Sequence, residues 1–335
     1  VQKKLTFITV LLAVGLFVLF GVALGGYAAN ALSRETPVAV CSTTMANVIA
    51  SAKGNVYKGI DPNFVDPTSY PLATYSVSGN EIANPTFPAL DATDPSVVKD
   101  EQKNSTLQTE AWRIFTKLIP IQRRGMVAQY DVFTDGFENT LAAVDQTKAD
   151  PMRWILQIDV ADVENKNSFM FTLVHEYSHL LTLNAAQVTP DQEIVNAPDD
   201  LALQARKAAA CPNYFTGTGC SHADSYIHVF YNRFWAGAIN DEWKKVDALQ
   251  INKDNLAPYY DGLYNLYQKH QDQFVDDYAV TYLTEDISES FTYFIFSPKP
   301  TGNSIKEQKI SFFYEYPELI QLRENILNGA CSAGQ

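Results

Sequence analysis

Phe171-Thr172-Leu173-Val174-His175-Glu176-Tyr177-Ser178-His179-Leu180-Leu181 is the stretch on which the reading of this chain turns. Phe169, Leu173, Val174, Leu180 and Leu181 recur at helical spacing and predict a helix over 168–183. A helix puts residues i and i+4 on one face, so His175 and His179 can point at one metal ion. Neutral imidazole suits zinc, and a catalytic zinc keeps three protein ligands and one open position. Glu176, beside the first histidine, is placed to act as a general base on water at such a centre. The chain holds five histidines and, counted along the sequence, 15 glutamates. Random placement would produce roughly 0.003 such H-E-x-x-H matches per chain of this length. Apolar residues on both sides of the motif imply a buried helix, where two imidazoles and a carboxylate need partners.

Two histidines leave a zinc ion one ligand short. Thr284-Glu285-Asp286-Ile287-Ser288-Glu289-Ser290-Phe291 offers the candidate, on a second predicted helix over 284–296. Glu285 and Glu289 are i and i+4 and share a face. Adjacent carboxylates facing a core are costly unless one binds a cation and the other hydrogen-bonds a ligand. A glutamate on the metal, with a second carboxylate orienting a ligand histidine, meets that requirement.

H-E-x-x-H with a distant glutamate on another helix resembles the gluzincin zinc peptidases. More narrowly, Phe274-Val-Asp-Asp-Tyr278-Ala followed by Glu285-Asp286-Ile-Ser-Glu289-Ser-Phe is similar to bacterial zinc-binding metallopeptidases. It is also similar to the catalytic domains of anthrax lethal factor and the secreted Pro-Pro endopeptidases. The resemblance implies an α+β, zincin-like fold, mostly helical, with a small sheet before the active-site helix. It implies His175, His179 and Glu285 as ligands of one zinc ion and Glu176 as the base. Tyr278, seven residues before Glu285, becomes the oxyanion donor, and Glu289 the residue behind a ligand histidine. Tyr282 stands seven residues before Glu289, so a register using that pair is also open. The activity implied is hydrolysis of a polypeptide substrate by water activated at zinc. The matched motifs run from His175 to about Phe296; residues 35–150 carry none of them.

The first 34 residues hold Lys3, Lys4 and Arg34 and no acid, while the whole chain carries -13 over 335 residues. The remainder therefore carries -16, which repels phosphate backbones and excludes nucleic acid as an expected partner. Residues 5–29 are apolar behind the two lysines. A cleaved signal peptide, with Ala29-Asn30-Ala31 as its site, and a retained membrane anchor both fit. Either places the body of the chain outside the cytoplasm, secreted or membrane-attached. Four cysteines suggest two bridges among three connectivities; Cys211 and Cys220 suit a local loop staple, which would leave Cys41 with Cys331 across the exported part.

The expected organisation is an address over 1–34, an extended, loop-rich wrapping segment over 35–100, and a zinc metallopeptidase domain over 101–335. Within that domain the pattern predicts a helix from Ser105 stopping before Pro120, and strands at Val127–Phe133 and Trp154–Val160. The second strand is expected to be the sheet edge to which an extended substrate adds. Further helices are expected over 223–249 and 260–269, their aromatic stripes forming core. His222, His228 and His270 read as ordinary histidines. Two other functions fit a zinc site here: a cell-surface binding protein without catalysis, and an amidase acting on cell-wall amides.

Overall fold

The computed structural model describes residues 42–52, 68–137, 140–251 and 255–333. Cys41, and with it the bridge expected to Cys331, lies outside the described residues, as does the apolar run 5–29. Among the described residues no helix is long and apolar enough to cross a membrane.

The architecture is α+β. Helix α1 (Ser42–Ala50) is followed by strands β1 (Tyr70–Ser78) and β2 (Glu81–Thr86), then helices α2 (Ser96–Lys103) and α3 (Ser105–Leu118). Next come β3 (Val127–Thr134), β4 (Ala142–Gln146), β5 (Trp154–Asp159) and helix α4 (Lys166–Leu183). A small unit follows, made of β6 (Val188–Pro190), α5 (Gln192–Asn196), α6 (Leu201–Ala210) and β7 (Gly219–Ser221). The chain closes with α7 (Tyr226–Phe230), α8 (Ala238–Asp247), α9 (Ala257–Lys269), α10 (Leu283–Phe296), α11 (Ile305–Phe312) and α12 (Pro317–Ala333).

Three expectations need correction. Residues 35–100, expected to be extended with little regular structure, carry more of it than that: β1 and β2 form a hairpin turning at Gly79, whose φ of 64° favours glycine. β1 then pairs antiparallel with β3. The sheet order is β2-β1-β3-β5-β4, so the strand beginning at Trp154 is interior. It runs parallel to β3 and antiparallel to β4, and the two edge strands of the sheet are β2 and β4. Only five residues long and without clean alternation, β4 gives little pattern to read. The helix expected over 223–249 is also broken. A π-type turn, Tyr231–Trp235, follows α7, and Gly237 at φ 98° separates it from α8. A residue with a side chain rarely takes that conformation.

The helices expected at 105–118, 168–183, 260–269 and 284–296 form within two to three residues of their expected starts. Asn104 caps α3 by accepting from Leu107 N, and Asn165 caps α4 by accepting from Ser168 N. α4 is buried nearly all round, packing against α10 and β4. On α10, Phe291, Phe294, Ile295 and Phe296 are at most 1% exposed. Each such side chain contributes about 1.5–3 kcal/mol by leaving water.

The turn from β5 into α4 depends on Asp159. Its carboxylate is fully buried and accepts from Asp135 N and Ala161 N, both at 2.8 Å. Burial, helped by the neighbouring Asp135 carboxyl and opposed by those N–H groups, lifts its pKa to about 7. The unfolded chain releases this proton near pH ~3.9. Between those values the native state holds a proton that the unfolded state has lost, so stability falls as pH rises. The loss is at most about 4 kcal/mol over the window. Asp159→Asn is expected to flatten the decline between pH 4 and 7; equal slopes in urea unfolding for variant and parent would refute the assignment.

Candidate metal centre

α4 and α10 meet face to face, and each brings one half of the site. His175 and His179 lie on the face of α4 that meets α10, and Glu285 stands in the first turn of α10. His175 Nε2 is 3.1 Å from His179 Nε2 and 3.0 Å from Glu285 Oε2. His179 Nε2 is 3.4 Å from that same carboxylate oxygen. Three donor atoms from residues up to 110 positions apart thus converge within a few ångströms.

This buried His175, His179 and Glu285 group can hold a metal ion. The fit follows from the donors themselves. A tetrahedron with ligand bonds of about 2.0–2.1 Å has edges of about 3.3–3.4 Å. The three observed separations fall within a few tenths of an ångström of that. Two imidazoles and one carboxylate are a donor set that divalent zinc accepts.

The outer ring nitrogens are also engaged. His175 Nδ1 lies 2.7 Å from Glu289 Oε1, an ion-pair contact. His179 Nδ1 lies 3.2 Å from Ser288 Oγ. With the proton on Nδ1 of each neutral ring, the Nε2 lone pairs would face the common centre. Ser288 has no place in the sequence reading. Glu285, Ser288 and Glu289 are i, i+3 and i+4 on one helix face, a spacing that places Ser288 beside the pair without marking it.

The two tyrosines part company here. Tyr278 sits on a 3-10 turn, Tyr278–Val280, with its ring centroid 5.8 Å from that of His175. Tyr282 turns away: its hydroxyl donates to Gln250 Oε1 at 3.2 Å, and its ring packs on Trp243. Glu285 meets the Nε2 side of the histidines and Glu289 the Nδ1 side. The geometry therefore pairs Glu285, and not Glu289, with the convergent donors.

Electrostatics follow the same layout. Burial pulls the His175 pKa down, but the charges of Glu289 and Glu285 outweigh it and hold the imidazole well above its ordinary value. Burial pushes Glu285 up, but His179 and His175 hold its carboxylate well below the usual range. Glu176 is 8% exposed and is raised by burial, with His179 and His175 opposing and Glu285 and Glu289 adding to the rise.

The other histidines lie elsewhere. His222 contacts Thr189 Oγ1, His228 accepts from Tyr214 N, and His270 contacts Glu242. Cys211 and Cys220 form a disulfide, with Cα atoms 5.5 Å apart. Cys331 is disulfide-bonded as well, and there is no free cysteine among the described residues. No protein-family model, no curated protein and no solved structure matches the chain.

Proposed function

We propose that this chain is a zinc-dependent endopeptidase acting outside the cytoplasm. The observation that carries the reading is the convergence of His175 and His179 from α4 with Glu285 from α10, next to buried Glu176. Bound there, zinc supplies a Lewis acid that polarises the scissile carbonyl and acidifies water. Glu176 takes the proton from the attacking water and delivers it to the leaving amine nitrogen. The Tyr278 hydroxyl donates a hydrogen bond to the developing oxyanion. Glu289 and Ser288 hold the two imidazoles in orientation. A disulfide at Cys211–Cys220 is consistent with an oxidising compartment.

The polypeptide substrate adds to β4. In the antiparallel ladder with β5, Asp159 N donates to Leu141 O and Thr147 N donates to Arg153 O. Bonded pairs alternate along such a ladder, so Ala142 and Val144 turn their backbone N–H and C=O groups away from β5, as does Gln146, whose N–H donates to Asp145 Oδ1 and which therefore offers only its C=O. Those groups form the docking edge for an extended peptide.

Cleavage of a peptide library, with products read by mass spectrometry, tests the reading. Cleavage that stops on chelation and returns with zinc is expected; no cleavage by the zinc-loaded chain would sink it. Val144→Pro removes one outward N–H where an edge strand tolerates proline. It should lower kcat/KM about tenfold, the worth of one hydrogen bond to substrate, with metal content unchanged. An unaltered kcat/KM would move the substrate off β4.

A further inference from the structure

Lys309, on α11, is 1% exposed, a burial rare for lysine. Its Nζ lies 2.5 Å from Asp286 Oδ2, and Asp286 is fully buried. Trp235 Nε1 donates to the same oxygen at 2.6 Å. The ammonium also stands 4.2 Å from the centroid of the Phe274 ring, itself fully buried. The Trp235 ring packs on Phe274 at 5.9 Å.

Both arms held by this ammonium lead to the metal centre. Asp286 directly follows Glu285, and successive residues on a helix are about 100° apart. Fixing Asp286 toward Lys309 therefore fixes the direction in which Glu285 leaves the helix. Phe274 stands four residues before Tyr278 and opens the segment carrying it. A buried ion pair adds little net stability over packed apolar residues of similar volume. What it does supply is a directed, short-range constraint, here on the two elements that bring Glu285 and Tyr278 to His175 and His179.

We propose that Lys309 is a positioning residue for the metal centre, acting through Asp286 and Trp235 on Glu285 and through Phe274 on Tyr278. This rests on the metal-centre reading above. It differs from a purely structural role in one respect: removing the pair without unfolding the chain loosens the metal.

The test uses the full chain with Asp286→Asn and Lys309→Met together. The pair becomes uncharged at similar volume, and the introduced amide oxygen keeps an acceptor for Trp235. The variant is expected to melt near the parent temperature. Its zinc affinity, from chelator competition, should fall about 10–100-fold, as for other residues that orient metal ligands. The visible spectrum of the cobalt-substituted protein should shift, and kcat should fall with KM held. Parental zinc affinity together with a parental cobalt spectrum overturns the proposal and leaves the pair a packing element. Trp235→Phe is the second variant, removing one hydrogen bond and no charge. It should weaken zinc about threefold to tenfold; parental affinity there overturns the proposal even if the double variant does not fold. A parent chain that binds no zinc would instead overturn the metal-centre reading, and this inference with it.

Discussion

Glu176→Gln lowers kcat/KM on a cleaved peptide by about a hundredfold to ten-thousandfold, and the metal stays bound. Glutamine keeps the size and the hydrogen-bonding reach of glutamate but cannot take a proton from water. The residue lies on α4 between the two histidines and is not among the three convergent donors. Its loss should therefore affect chemistry and leave metal binding alone. Burial also raises the proton affinity of this carboxyl above that of a free glutamate. Steady-state kinetics and metal content per chain are the two measurements. A variant that keeps activity within threefold of the parent would remove Glu176 from the reaction.

Glu285→Ala abolishes metal binding, whereas Glu289→Ala weakens it by about 10–100-fold. The difference follows from which ring nitrogen each carboxylate meets. Glu285 Oε2 stands 3.0 Å from His175 Nε2 and 3.4 Å from His179 Nε2, where an ion would be shared. Removing it leaves two imidazoles and no anionic ligand. Glu289 meets His175 on the Nδ1 side, so its loss frees the ring to rotate without deleting a donor. Chelator competition with each variant separates the cases. Complete loss in Glu289→Ala with retention in Glu285→Ala would reverse the roles and restore the register that uses Tyr282.

Much of the site was legible because it depends on local helix geometry. The i, i+4 spacing of His175 and His179 holds on any helix, and the apolar residues around them predict burial wherever that helix packs. Glu285 and Glu289 were legible as a pair for the same reason. Their division of labour was not, since it depends on how α10 is rotated against α4. Ser288 carries little signal, because a serine inside a helix has no charge and many ordinary uses. Lys309 and Asp286 lie on different elements, and their contact has no signature at any fixed spacing.

The sheet divides in the same way. β3 and β5 were visible as apolar runs, β5 with alternate residues fully buried. β4 was not, because five residues of small and polar character carry almost no period. β1 is hard to read because Pro71 and the polar surroundings lower its strand character, though its pairing with β3 holds it in the sheet.

By itself, then, the sequence determined what neighbours along the chain can do: one buried helix bearing His175, Glu176 and His179, and another bearing Glu285 and Glu289. Tertiary structure decided which carboxylate meets the Nε2 atoms, which tyrosine stands beside His175, and that β5 is an interior strand with β4 at the edge beside it. The physical reason is the range of the interactions involved. Helix faces follow from backbone geometry over four or five residues. The meeting of Glu285 with His175 spans 110 positions and follows from packing among elements whose relative placement no local pattern records.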